Sequence, residues 1–390
     1  MSILNFQNRH TTEKEDCNMT SKERHEARYL RRKAKRDYKK SQRLKYINSY
    51  DKVFSFDNLY NSYKHCRKGV AWKSSVQKYI IQAPINLANT HEKLMNETYR
   101  SSGFYEFDLF ERGKKRHIRS VTVDERIVQN CLCDNCLVPA LSRTFIYDNG
   151  AAIKNKGYSF AVKRLNVHLQ KYYRKFGNSG YILVFDFSKF FDNISHELVK
   201  KIIRKEVSDE RIIKLSEHFI DAFGAKGLGL GSQISQILSL SSANKLDHFI
   251  KENLGIKYYG RYMDDGYLIH QSKEYLQKCL SSIKVVCSEL GIVLNKKKTQ
   301  IVKLSHGFTW LKMRIFLTNS GKIVKKMYKR SITNMRQKLK KLYKKYKNNE
   351  LVLADVQATW QSWSAYAKRF MSYHTRTNMK KVISKFILWR

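Results

Sequence analysis

The stretch GRYMDDGYLIH (residues 260–270) sets two adjacent aspartates, Asp264 and Asp265, inside a run of strand-forming residues. Tyr258, Tyr259 and Tyr262 precede the pair, and Tyr267, Leu268 and Ile269 follow it. Such residues on both sides of a short polar break predict a hairpin with the aspartates at its tip. Like charges side by side repel. The pair is therefore either an ordinary polar turn or part of a site for something positive.

Upstream, YILVFDF (181–187) is an almost continuous apolar run that ends near Asp186. This is the pattern of a central strand buried on both faces. If it lies antiparallel to the hairpin in one sheet, Asp186 and Asp264 reach the same end. Carboxylates gathered there need cations between them. Mg2+ suits a few carboxylates plus substrate phosphates. Two such ions about 3.5–4 Å apart form the arrangement for in-line phosphoryl transfer. Mn2+ is the alternative ion.

Composition narrows the partner. Lys and Arg number 76 against 33 Asp and Glu, a formal net charge of +43. A surface this basic repels itself unless something anionic neutralises it, and nucleic acid is the leading candidate. The basic residues run along the whole chain, which fits a long or enclosing contact. The 24 Tyr and 20 Phe add faces on which bases can stack, beside those needed for the core. The 390 residues allow two or three subdomains. No apolar run has membrane-spanning length and no signal peptide is evident, so a cytoplasmic protein without membrane contact is expected. The seven cysteines are expected to be reduced. Cys131, Cys133 and Cys136 lie close together but lack a matching fourth zinc ligand, and are read as buried thiols.

Along the chain, residues 21–46 read as a charged helix or a disordered arm, either simply solvated or binding nucleic acid. Met19 just before it offers an alternative start. A strand-like segment covers GFYEFDLFERGKKRHIRSVTV (103–123). SHELVKKIIRKEV (195–207) predicts an amphipathic helix capped by Ser195, with Glu197 in its first turn. The glycine-rich GLGLGSQISQ (227–236) leads into a helix expected to continue to about Lys251. A helix is predicted over 273–290, strands over GIVLN and TQIVKL, and one strand over GFTWLKMRIFLT (307–318). From Lys325 onward the pattern is helical and very basic.

These segments, in this order, resemble the palm of a reverse transcriptase. FDFSKFFDNISHELV (185–199) resembles motif A, GLGLGSQISQ motif B and RYMDD (261–265) motif C. GIVLNKKKT (291–299) resembles motif D, and GFTWLKM (307–313) motif E. KKRHIRSVTVDERIVQNCL (114–132) resembles the family's fingers segment. The resemblance implies an α/β fold with an α+β palm, a right-hand polymerase of fingers, palm and helical thumb with a basic N-terminal helical extension. It divides the chain into an extension (1–50), fingers (51–170), palm (171–322, with a helical insertion around 200–230) and thumb (323–390).

It also implies roles. Asp186, Asp264 and Asp265 would hold two Mg2+ ions, with a main-chain oxygen of Phe187 as a further ligand. Phe191, five residues after Asp186, would sit beneath the nucleotide sugar and favour dNTPs; of Phe190 and Phe191, one would gate and one would pack. Lys114 and Arg116 match the cations that hold the triphosphate, with Arg119 a second candidate. Lys298 matches the motif D lysine near the leaving pyrophosphate, and Lys296 and Lys297 stand beside it. Gln233, Ser235 and Gln236 would meet the nascent base pair. Met263 would touch primer or template. Trp310 and Leu311 fall in the primer-grip strand or in plain core.

The chain departs from the family in places. Ser120 and Val121 stand where the fingers segment usually has proline. The glycine loop ends in SQ, similar to diversity-generating and defence-associated enzymes. WQSWSAYAKRFMSYHT (360–375) resembles the thumb of bacterial retroelement enzymes, with Ala365 in a glycine position. YDNGAAIKNKGYSFAVKRL (147–165) resembles reverse transcriptases of prophages and defence islands. The implied partners are an RNA template, a dedicated non-coding RNA, a DNA product and dNTPs, with an oligomer or accessory protein allowed. The first reading is an RNA-directed DNA polymerase in antiphage defence. The others are a diversity-generating or retron-type enzyme, template-independent or protein-primed synthesis, and a catalytically silent RNA-binding protein on the same scaffold.

Overall fold

The apolar run at 181–187 becomes β3 (Tyr181–Asp186). Its sheet has the order β4-β5-β3-β6, with β4 (Tyr258–Tyr262), β5 (Asp265–His270) and β6 (Gln300–Lys303). Every pairing in it is antiparallel. The side-chain period of two sends Leu183 and Phe185 into one core cluster and Ile182 and Val184 into another. Burial on both faces is why the strand reads as a continuous apolar run. The chain is described by a computed structural model covering residues 20–111 and 114–387. Met19 and the Lys114 side chain lie outside the described residues.

The first cluster joins Leu183 and Phe185 to Tyr259, Leu268 and the helix Lys273–Glu289, and extends through the helices around residues 50–141 and 196–250. The second packs Ile182, Val184, Tyr258, Tyr267 and Ile269 against Trp310, Phe308 and the helix Tyr158–Phe176. A smaller third core holds together the helices Lys329–Lys347, Leu353–Ala367 and Tyr373–Ile387 through Met335, Leu339, Val356, Met379 and Ile383.

The helix His196–Glu206 forms as expected, and the Leu198 amide donates to Ser195 Oγ at 3.3 Å. The segment at 103–123 is a hairpin of β1 (Phe104–Glu111) and β2 (Lys114–Val121). Residues 21–46 fall within a helix, Ser21–Ile47, started by a capping box between Thr20 and Glu23. That helix is largely exposed; Ile47 is buried and Leu44 packs against the core.

Four sequence expectations change. The basic helix expected from Lys325 starts at Lys329, because Lys325, Lys326 and Met327 belong to a strand, Ile323–Met327, that pairs with Met313–Leu317. The helix leaving the glycine loop is interrupted: Gln233–Ser242, then Asn244–His248, then a π-helical turn at Phe249–Asn253. The hydroxyls of Ser239, Ser241 and Ser242 donate to carbonyls of their own helix, which weakens it near the break. GIVLN forms no strand, only an isolated bridge between Leu294 and Phe187. The single strand expected at 307–318 is a hairpin, β7 (Phe308–Trp310) and β8 (Met313–Leu317), joined to β9 (Ile323–Met327). Leu311 and Lys312 form its turn at φ 47° and 61°. Neither is a residue that announces such a turn; burial of Phe308, Trp310, Met313 and Ile315 holds it there.

Cys131, Cys133 and Cys136 are buried as expected, and burial pushes the Cys131 and Cys136 thiols up to about 12. Among the described residues no helix is long and apolar enough to cross a membrane.

Candidate active site

β3 and β5 bring the carboxylates together. Their register sets Asp186 directly opposite Asp265, so the two side chains leave the same face of the sheet. That face also carries Val184 and Tyr267, which pack against Trp310. Asp264 sits in the turn before β5, and its carbonyl accepts the Phe187 amide at 3.1 Å. Across the same strand pair Gly266 faces Phe185. A Cβ there would stand 2.2 Å from the Phe185 ring. Only glycine lets the aspartate turn lie this close to β3.

The cluster is short of positive charge. Burial, then the charges of Asp264 and Asp186, push Asp265 up to about 7. Burial and Asp186 also raise Asp264, with partial relief from Lys298 and Arg116. Asp186 is better supplied. Lys298 Nζ donates to its Oδ2 at 2.5 Å and Asn295 Nδ2 to its Oδ1 at 3.2 Å. The Asn295 amide also donates to the Asp186 carbonyl at 2.8 Å. Burial works against the Lys298 ammonium, but the bond to Asp186 and the other carboxylates outweigh it and leave its pKa raised.

Such a set of hard, partly desolvated oxygens fits a divalent cation of the Mg2+ type. In the described residues no three acidic, cysteine or histidine side chains close on a single point as an ion would require. Lys298 occupies the compensating position on Asp186 instead. The chemistry of the donors fits such a metal; Lys298 bonds Asp186 directly and acts on Asp264 and Asp265 through its charge.

The other expected residues divide. Arg116 is exposed on β2 and near enough for its charge to act on Asp264. Arg119, an odd number of positions away, leaves the opposite face of β2. It pairs with Glu106 at 3.0 Å and donates to the Phe223 carbonyl at 2.8 Å. Phe190 is buried, whereas Phe191 is half-buried. Gln233 accepts from Asn130 at 2.6 Å and donates to Asp134 at 2.8 Å. Ser235 is fully buried with an unpartnered hydroxyl, and Gln236 is exposed. Met263 is half-buried at φ 53°. Trp310 is buried and makes an edge-to-face contact with Tyr267.

Two residues at the site escaped sequence reasoning. Asn295 hides at the head of a lysine run, and its side-chain role depends on the loop that carries it back to Asp186. Lys312, read as part of a strand, lies in the turn between β7 and β8, and its charge acts on Asp265. A hairpin signal at 311–312 would have exposed it, and the sequence has none.

The family model for reverse transcriptase (RNA-dependent DNA polymerase) matches residues 106–315, which contain all of these carboxylates. The chain belongs to the reverse transcriptase family. No curated protein matches it. Among solved structures it is similar to apo telomerase from Candida tropicalis truncated from its C-terminal domain, at 15% identity and a TM-score of 0.45, covering 58% of this chain and 55% of that one. It is also similar to telomerase from Candida albicans in complex with a fragment of telomeric RNA, at 12% identity and a TM-score of 0.46, covering 64% of this chain and 51% of that one. This reverse transcriptase chain thus spans about half the length of the solved structures it matches.

Proposed function

We propose that the chain is an RNA-directed DNA polymerase that adds dNTPs to a primer 3′ end, with Asp186, Asp264 and Asp265 as its metal-binding set. The observation that carries this reading is the register of β3 and β5. It places Asp186 opposite Asp265 and beside Asp264, inside a matched reverse transcriptase domain. In the reaction the primer hydroxyl oxygen attacks the α-phosphorus, the bond to pyrophosphate breaks, and the hydroxyl proton is released. Two divalent ions, when bound, would activate that hydroxyl and neutralise the leaving group.

The protein's own groups would do the rest. Asp186 and Asp264 would hold both ions, with Asp265 beside them and a main-chain oxygen of Phe187 as a further ligand. Arg116 and Lys114 bind the triphosphate. Lys298, about half exposed beside Asp186, supplies a proton or positive charge to the departing pyrophosphate. Gln233 and Gln236 line the approach to the base pair, and Met263 faces primer or template. The direct test is primer extension by the purified chain on an RNA template. Incorporation of dNTPs that requires Mg2+ or Mn2+ supports the reading, and its absence with both ions ends it.

Phe191 would form the floor under the sugar while Phe190 packs in the core. Phe191→Ala should raise the ratio of NTP to dNTP use on the order of ten- to a hundredfold, the range expected when a pocket wall is removed. If only Phe190→Ala does so, the gate is the other ring.

The extension, fingers, palm and thumb would divide as the motifs suggest, and the helix Ser21–Ile47 would be an RNA-binding arm. Truncation before Leu44 spares the packing of Leu44 and Ile47 against the core. It should weaken RNA binding and flatten its salt dependence, by roughly 0.7 in logarithmic slope for each phosphate that the arm neutralises. An unchanged slope would mean a merely solvated helix. A dedicated structured RNA and a role in bacterial defence are supported by the SQ after the glycine loop and by residues 147–165. Sequencing the RNA and DNA that co-purify with the chain separates that role from a retron or a diversity-generating element.

A further inference from the structure

β4 carries an arginine with no solvent contact. The side chains of Arg261 and its partner Asp247 are both 0% exposed. Arg261 Nε and Nη2 donate to the two carboxylate oxygens at 2.7 and 2.6 Å. Tyr259 Oη donates to the same carboxylate at 2.5 Å. Burying a charge pair is expensive, and apolar residues of similar volume often replace one without loss of stability. Stability alone therefore leaves this pair unexplained.

The remaining donors point elsewhere. Arg261 Nη2 also donates to the Leu240 carbonyl at 3.2 Å, and Nη1 to the Met263 carbonyl at 2.8 Å. Leu240 and Asp247 belong to the broken helix that follows the glycine loop. Met263 opens the turn that carries Asp264, and its φ of 53° is a conformation that a bulky side chain adopts only when held. The main chain beneath the guanidinium is itself fixed. The Arg261 amide donates to the Asp148 carbonyl at 3.2 Å, and the Gly150 amide donates to the Arg261 carbonyl at 2.9 Å. One rigid fork thus links the aspartate turn to the helix behind it.

We infer that Arg261 is a positioning residue: anchored on Asp247, it sets the backbone of the Met263–Asp264 turn and through it the Asp264 carboxylate. This deepens the polymerase reading and rests on it for the role of Asp264. A lysine at 261 would keep the charge but has a single point of attachment, and cannot hold Asp247, Leu240 and Met263 together.

The test uses the full chain. Arg261→Lys is compared with Tyr259→Phe, which loosens the same buried cluster without touching the Met263 carbonyl. Arg261→Lys should fold, exchange the amide hydrogens of residues 263–266 at least about tenfold faster, and lose on the order of ten- to a hundredfold in kcat, with the dNTP KM within about twofold. Tyr259→Phe should lower the melting temperature yet leave turn exchange and kcat within about twofold. Equal loss in both variants overturns the inference, as does an Arg261→Lys protein with unchanged turn exchange and kcat. If Arg261→Lys does not fold, the paired Arg261→Leu, Asp247→Leu variant decides, by the same exchange and kcat criteria. Failure of both to fold assigns the cluster to stability and overturns the inference. Should the unaltered chain fail to extend any primer, the polymerase reading falls, while the exchange comparison still decides whether Arg261 holds the turn.

Discussion

Asp264→Asn should abolish Mg2+-dependent dNTP incorporation, by about a thousandfold or more, and leave the metal-free protein at least as heat-stable as before. The loss follows from the role proposed for Asp264: a metal-held charge at the reacting phosphate contributes several kcal/mol, and each 1.4 kcal/mol is about tenfold in rate. The retained stability follows from the surroundings. Burial, and then Asp186, already disfavour the charged form of Asp264. An amide of the same shape removes that repulsion and keeps the Asp264 carbonyl bonded to the Phe187 amide. Primer extension and a melting curve on the same preparation check both halves. Retained incorporation would remove Asp264 from the metal set, and a marked loss of melting temperature would mean that the carboxylate supports the fold.

The second large effect concerns Asp265 and pH. Its folded-state pKa is raised to about 7, by burial first and by Asp264 and Asp186 next. The group binds its proton more tightly folded than unfolded. The stability it contributes is therefore complete below about pH 4 and is lost as pH rises through about 7. A displacement of this size corresponds to a few kcal/mol by neutral pH. The metal-free protein should lose melting temperature across that window, and Asp265→Asn should flatten the loss. Mg2+, which favours the ionised carboxylates, should restore more stability at pH 8 than at pH 5. Melting curves in chelator and in Mg2+, for both proteins, test this. Parallel pH profiles for the two would show that Asp265 does not titrate in the window.

Much of the site was legible in the chain. The run at 181–187 and the hairpin at 260–270 announce their strands by apolar residues alone, because both are core strands of a sheet. Ser195 and the helix it caps were equally plain, since a cap and an amphipathic pattern are local signals. What stayed hidden depended on contacts between distant residues. Leu311 and Lys312 look like strand residues and form a turn only because the residues on either side are buried. The helix expected through Lys251 breaks among serines whose hydroxyls turn back on their own backbone. Arg119 was a second candidate beside Arg116, yet the alternation of β2 sends it to the other face, to Glu106 and Phe223.

By itself, then, the sequence determined which carboxylates exist, which strands lie beside them, and the family to which their order belongs. Those properties reside in short windows, where propensity and periodicity act directly. The tertiary structure alone decided that Asp186 faces Asp265, that Lys298 compensates Asp186, and that Arg261 reaches from Asp247 to the Met263 carbonyl. Each of these joins residues far apart in the chain or depends on which way a side chain points. Packing and desolvation choose such partners only once the sheet has closed and water has left.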